Sequence, residues 1–356
     1  MNTQKILYIA RTSLNEKFGG SVVANRNFRS LEKIFGKENV IEMRLPKTTL
    51  KNVFSSLLCL GSYGVPKEVE NYICQVQKNE GIGFAFLEGT LASSLVERLK
   101  RQGCRVIVFA HNVESHLYTD RWLQEKTLLA KIRQKYVEYC EKKVIECADN
   151  LIVLNQRDEE GHFERYGRHA DIILPITFED KSDYIVENIN EPYLLFVGSD
   201  FFPNNQGLRW FIENVASHID KFKVLVIGGC CNNPEIRKLK LPVNVELRGY
   251  VDDIGKYYRE ALAVIAPIFF GSGMKTKTVE ALSYGKTIFG TPEAFVGIEG
   301  DKEKIGGYCT DAEDFINAIN NYSGERINDY SRLIFSQYYS DEVFDKKLKQ
   351  FLEIIV

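Results

Sequence analysis

An α/β architecture of two parallel-sheet units is what this sequence predicts, on three observations. Short apolar runs of about five residues alternate with longer segments of helical period, the alternation occurs in two series, and a polar stretch at residues 178–192 separates the series. With 356 residues, 44% of them hydrophobic, the chain is long enough to bury two cores. In the first series Ile6–Ala10 is a short buried strand and residues 22–35 read as a helix capped by Ser21. Residues 84–87 and 106–110 read as strands on either side of an amphipathic helix at 92–101, and 151–154 as another strand. The second series places strands at Tyr193–Val197, Lys223–Ile227, 243–247, 264–268 and Thr287–Gly290, before a final helix at Asp341–Ile355. The expected domains are therefore 1–177 and 193–340, with 178–192 as linker. Ligands of open parallel sheets sit outside the carboxyl ends of the strands, so two such sheets facing each other are expected to enclose one cleft.

Forty-six basic residues against forty-eight acidic ones leave no bulk field that would favour nucleic acid or an anionic membrane, so attraction to a polyanion has to be local. The N-terminal apolar run is a short strand without signal-peptide character, and no apolar run approaches the ~18 residues of a membrane span. The expectation is a soluble, cytoplasmic protein. Eight cysteines without a C-x-x-C spacing, several inside apolar segments, read as buried free thiols.

Residues 264–285 (V-I-A-P-I-F-F-G-S-G-M-K-T-K-T-V-E-A-L-S-Y-G) carry the chemistry. A buried strand runs into Gly271-Ser272-Gly273, and a helix then begins with Lys275 and Lys277 near its start. Glycines let backbone N–H groups approach a ligand, and a helix N-terminus adds positive potential. Lysines there oppose the helix dipole unless an anion binds, a local conflict that points to function. Glu280 lies three residues after Lys277, one turn deeper, where a carboxylate can accept from two vicinal hydroxyls. A ribose beside a pyrophosphate suits that geometry; an exposed Lys277–Glu280 ion pair beside an ordinary loop is the alternative.

This segment resembles the nucleotide-sugar-binding signature of the group-1 glycosyltransferases, mostly retaining enzymes of family four with the GT-B fold. Residues 194–215 (L-L-F-V-G-S-D-F-F-P-N-N-Q-G-L-R-W-F-I-E-N-V) resemble that family's entry into its C-terminal domain, and 106–114 (V-I-V-F-A-H-N-V-E) resemble the strand that delivers a histidine to the cleft. The resemblance implies two Rossmann-like domains facing a central cleft, with the last helix crossing back over the first. It implies that His111 contacts the transferred sugar and that Gly19 and Gly20 approach donor phosphate or acceptor. It also implies a donor site of Ser199, Asn205, Tyr250, Val251, Gly271, Gly273, Met274, Lys277 and Glu280, with catalytic roles for His111, Ser272 and Lys275. Many relatives place an arginine and a lysine after the first strand of the second domain; Ser199, Asn204 and Asn205 stand there instead, leaving Lys275 and Lys277 to neutralise the diphosphate. Much of the family has a glutamate where this chain has Ser272, and Gly-Ser-Gly resembles a subgroup that lacks it.

From the residues alone, His111 ends an apolar strand where a polar side chain points into a cleft, with a structural turn histidine as the alternative. Glu114 is either its partner or a helix N-terminal charge; Asn112 and His116 are weaker candidates. Tyr250, Val251 and Asp253 follow a strand and frame a base, with Asp252 and Asp253 as ordinary helix N-caps the alternative. The gap between the first strand and Gly19-Gly20 does not fit a dinucleotide fingerprint. Neither metal nor cofactor is expected, the donor being a nucleoside-diphosphate sugar with a UDP-sugar favoured. Residues 47–60 and 121–143 mix basic and apolar residues at helical spacing, as a surface on a membrane carrying a lipid-linked acceptor or as helices covering a core. The function this implies is retaining transfer of a hexose-type sugar to a glycan or lipid-linked glycan in surface polysaccharide or glycoconjugate synthesis. The chain would then be cytoplasmic or peripheral at the inner face of the membrane. A GT-B nucleotide-sugar epimerase and a non-catalytic glycosyltransferase-like partner protein are the alternatives.

Overall fold

The structure is a computed structural model that describes residues 4–11, 19–182, 191–271 and 273–355. Ser272 and most of the expected linker, residues 183–190, lie outside the described residues, as do residues 12–18. The chain packs as two units, Met1–Pro175 with Asp345–Val356 and Ile176–Phe344. Both are α/β, each built on a six-stranded parallel sheet.

In the first unit β1 (Ile6–Ala10), β2 (Val40–Arg44), β3 (Phe84–Glu88), β4 (Arg105–Ala110), β5 (Asn150–Val153) and β6 (Ile172–Ile173) lie in the order β2-β1-β3-β4-β5-β6. Helices α1 (Gly19–Phe35), α2 (Leu50–Leu58), α3 (Lys67–Asn79), α4 (Ser93–Arg101), α5 (Glu114–Glu125), α6 (Leu128–Cys147) and α7 (Gln156–Tyr166) connect them. The central strands β1, β4 and β5 read as continuous apolar runs because helices cover both faces. Edge strand β2 has no such run: Glu42 and Arg44, two apart on one face, pair with each other, which is why it is silent as a strand in the sequence. Helix α1 starts at Gly19, before the Ser21 expected as its cap, and Ser21 is buried inside its first turn.

The second unit has β7 (Tyr193–Val197), β8 (Lys223–Ile227), β9 (Val245–Gly249), β10 (Ala263–Ala266), β11 (Thr287–Gly290) and β12 (Gly306–Tyr308) in the order β12-β11-β10-β7-β8-β9. Its helices are α8 (Phe202–Asn214), α9 (Pro234–Arg237), α10 (Ile254–Glu260), α11 (Thr276–Ser283), α12 (Lys302–Ile305), α13 (Ala312–Asn320) and α14 (Asp329–Ile334). Strand β9 begins two residues later than its apolar pattern suggests, because the Asn244 amide is committed to Ala216 O and Ile219 O and Val243 is fully exposed. Strand β10 stops at Ala266, before Pro267, which has no N–H to continue a ladder. At the start of the expected linker, Lys181 N donates to Ser283 O (2.9 Å) and Phe178 bridges Ser340, all within the second unit.

Helix α15 (Asp341–Ile355) is where the expected final helix lies, and from Asp345 on it completes the first unit. Asp345 accepts from Ser30 and from Lys33 (2.7 Å), and Leu348 and Leu352 are buried. The eight cysteines are free thiols, six of them buried. Among the described residues no helix is long and apolar enough to cross a membrane.

One packing contact sets the geometry of the second unit's strand ends. A Cβ on Gly207 of α8 would lie 1.8 Å from Pro267 O, so the helix rests directly on the chain leaving β10. A backbone oxygen cannot swing aside as a side chain can. Gly207→Ala is expected to lower unfolding stability by about 1–3 kcal/mol, read as a shift of the denaturant midpoint against wild type.

Candidate functional site

In the second unit the chain leaves β7 toward β8 and β9 on one side and returns to β10, β11 and β12 on the other. The topological switch point therefore falls between β7 and β10, where open α/β sheets bind ligands. Two segments meet there. Asn204, in the first turn of α8, is buried and donates through Nδ2 to Ser199 O (3.1 Å) and Ser199 Oγ (3.2 Å). Its Oδ1 accepts from Lys277 Nζ at 2.6 Å, and that ammonium lies 4.9 Å from the centroid of the Phe196 ring. Burial, reinforced by the Lys275 charge, lowers Lys277 to about 8.

Lys275 is the N-cap residue of α11 rather than part of its first turn. Its Nζ reaches Gly273 O (2.8 Å) and Glu293 Oε1 (2.6 Å), with both side chains largely buried. Gly271 (φ 138°) and Gly273 (φ 67°) take backbone conformations that favour glycine, so the turn requires this residue type twice. Met274 between them and the helix is buried.

Glu280 turns away from Lys277: Tyr258 Oη donates to its Oε2 (3.4 Å), and Tyr258 stacks on Tyr284 at 4.9 Å. Burial raises the Glu280 pKa against the pull of Lys181. The exposed Lys277–Glu280 pair held open by the sequence is thus not the arrangement found. Asn205 faces the other way, donating to Asp200 Oδ1 (2.7 Å), since neighbouring helical positions lie about 100° apart and only Asn204 can face β10. Tyr250 (75% exposed) and Val251 follow β9, the edge strand, two strands away from β7. Asp253 caps α10, its Oδ1 accepting from Gly255 N at 2.9 Å.

The first unit repeats the logic. Its switch point lies between β1 and β3, and a polar network gathers at the ends of those strands. Glu88 Oε2 meets His111 Nε2 at 2.6 Å, while Glu88 Oε1 accepts from Asn27 Nδ2 (2.9 Å) and Tyr8 Oη (3.1 Å). The imidazole packs edge-on to Phe109. Glu88, not Glu114, is the partner of the ring. It was missed in the sequence, although the same signal that marks His111, an ionisable residue ending an apolar strand, was there to find it.

Glu114 is the first residue of α5, and burial beside Glu141 pushes its pKa up to about 7, against the Asn112 amide, His111 and Arg11. Glu141 itself is fully buried and accepts from Glu114 N (2.8 Å), Ser115 N (2.9 Å), Tyr166 Oη (2.8 Å) and Thr90 Oγ1 (3.0 Å), capping α5 from α6. His116 is exposed. Gly19 and Gly20 open α1, and a Cβ on Gly20 would meet open space.

Residues 191–323 match the family model described as Glycosyl transferases group 1. The match lies wholly within the second unit. No curated protein sequence matches the chain. Among solved structures, Anabaena HepE in complex with UDP is similar at a TM-score of 0.72 and 12% identity, covering 98% of this chain and 100% of that one. The lipopolysaccharide outer core galactosyltransferase WaaB gives 0.69 and 17% (99% and 100% covered), and a glycosyltransferase from Rickettsia africae gives 0.67 and 14% (100% and 99% covered). At such identities the likeness is one of fold, and the fold is GT-B. Within the second unit, what the sequence did not assign is Glu293 and the pairing of Asn204 with Lys277.

The raised Glu114 carboxyl gives a pH signature. Folded protein holds this proton up to about pH 7 whereas the unfolded chain releases it near pH 4.3, so over that window the folded state binds more protons and stability falls as pH rises. Glu114→Gln is expected to match wild type at pH 4 and to exceed it at pH 8, both read by chemical denaturation. Equal differences at the two pH values would contradict the assignment.

Proposed function

We propose that the protein transfers a hexose-type sugar, with retention, from a nucleoside-diphosphate sugar to a glycan or lipid-linked glycan in surface polysaccharide or glycoconjugate synthesis. A UDP-sugar is the favoured donor. The observation that carries this reading is a pair of lysines at the β7/β10 switch point of the unit that matches the group-1 glycosyltransferase model, beside a turn built on two glycines of positive φ. The HepE structures contain UDP, UDP with glucose, or UDP-glucose, which supports a nucleotide-sugar donor and a uracil base.

The roles follow from the contacts. A diphosphate arriving at the turn replaces Glu293 as the counter-charge of Lys275 and adds to Asn204 at Lys277, so the charge that develops on the leaving group is neutralised by groups already in place. Glu280 receives ribose hydroxyls, whose hydrogen bonds favour its ionised form against the burial that raises its pKa. His111, oriented by Glu88, contacts the transferred sugar. No protein nucleophile is assigned: retention is ascribed to front-face attack by the acceptor hydroxyl, assisted by the donor phosphate, and no metal is assigned.

Thermal shift with UDP, GDP, dTDP and CMP tests the site directly, because a ligand bound by the folded state alone raises the melting temperature. The expected outcome is a shift with UDP that is lost in Lys275→Ala. No shift with any nucleotide at millimolar concentration would overturn the reading.

A second test uses pH. Free Lys277 loses its proton near pH 8, and a bound diphosphate needs the ammonium, so above pH 8 binding takes up a proton and weakens. The UDP Kd is expected to rise between pH 7 and 9.5, with proton uptake visible by calorimetry in buffers of different ionisation enthalpy. Lys277→Arg, charged throughout, should flatten this profile.

A further inference from the structure

One face of the first unit exposes more apolar surface than its packing explains. Helix α2, capped by Thr49, turns Val53 and Leu57 inward onto a cluster of Tyr63, Tyr136, Val137 and Cys140. Its other side carries Leu50 (69% exposed), Phe54 (63%) and Leu58 (73%), one per turn. The junction of α5 and α6 does the same with Leu123 (54%), Leu128 (75%), Leu129 (58%) and Ile132 (42%). Scattered exposed apolar residues are normal, but two neighbouring stripes are not.

The two stripes are one surface. Leu128, Ile132 and Tyr136 follow each other at four-residue spacing along α6, and Tyr136 Oη donates to Gly61 O at 2.9 Å, just past the end of α2. Tyr63 packs against Tyr118 of α5 (5.9 Å) and Tyr136 of α6 (5.5 Å), closing the gap between them. The charge of this surface is one-sided. Residues 47–60 and 121–143 contain nine lysines and arginines against three acidic residues, of which Glu125 pairs with Arg121, Glu138 pairs with Lys135 and Glu141 is buried, in a chain whose totals are 46 and 48. The Lys131 ammonium lies 5.5 Å from the centroid of the Trp122 ring, an aromatic of the kind enriched at membrane interfaces.

We propose that this face docks on an anionic phospholipid surface, the apolar stripes entering the headgroup–acyl boundary and the basic residues meeting lipid phosphates. A second copy of the chain fits less well, because an isologous contact would oppose the basic residues to themselves. Arg11, at the end of β1, donates to Pro46 O (2.8 Å), Thr48 Oγ1 (2.9 Å) and Tyr63 O (2.8 Å), which fixes the surface at the strand ends that also carry Glu88 and His111. A lipid-linked acceptor would then be delivered at that end of the unit. The docking goes beyond the proposed function and rests on it only for that acceptor.

The test is co-sedimentation of the purified full-length chain with vesicles of phosphatidylcholine alone and of phosphatidylcholine with phosphatidylglycerol. Binding is expected at least tenfold tighter to the anionic vesicles and weakened by salt. Lys51→Ala/Lys126→Ala/Lys131→Ala should weaken it by about fivefold per lysine, and Phe54→Ser/Leu58→Ser/Leu128→Ser should abolish it. A cooperative thermal transition at the wild-type melting temperature, read without ligand, certifies that both variants fold. Equal binding to the two wild-type vesicle types, or none, overturns the proposal without needing either variant, as does a concentration-dependent dimer that the apolar variant dissolves. Vesicle binding without any nucleotide shift would leave the docking standing and remove only the transferase reading.

Discussion

Holding two ammonium groups in a largely buried position at the ends of parallel strands is the constraint around which the second unit is arranged. A lysine removed from water must be paired or must lose its proton. Lys277 shows the cost: its depression from 10.5 to about 8 corresponds to roughly 3 kcal/mol. The surroundings offset this by supplying acceptors, Asn204 for Lys277 and Glu293 with Gly273 O for Lys275. Each acceptor comes from a different strand end, so the site exists only when β7, β10 and β11 are aligned. The close seat of Gly207 on Pro267 keeps α8, and with it Asn204, at that distance.

The first unit meets the opposite problem with the same means. Its central polar networks are built on carboxylates: Glu88 is shared by His111, Asn27 and Tyr8, and Glu141 is satisfied by two backbone amides and two hydroxyls. Glu114 is left with little compensation beside Glu141, and its raised pKa is the result. Networks of this kind hold side chains in one orientation because losing any member strands the others. Here that rigidity holds the His111 ring in one orientation against Glu88.

Much of this was legible in the residues. The alternation of apolar runs and helical segments is imposed by burial on both faces of a parallel sheet, and it located most of the strands; β2, β6 and β12 escaped because edge and very short strands lack such runs. The Gly271–Lys277 segment was visible because every property it needs, positive φ, helix start and basic charge, is encoded within seven neighbouring residues. The exposed stripe on α2 was visible as spacing, but whether it faced a core or solvent was not.

What the sequence determined by itself is therefore local: strand and helix content, the glycine turn, and the two lysines beside it. The tertiary structure decided who pairs with whom. Asn204 and Lys277 are 73 positions apart, Glu88 and His111 23, and Lys275 and Glu293 18. Hydrophobic periodicity says that a segment is a strand and is blind to its place in the sheet, whereas these contacts depend on strand order and on where that order reverses.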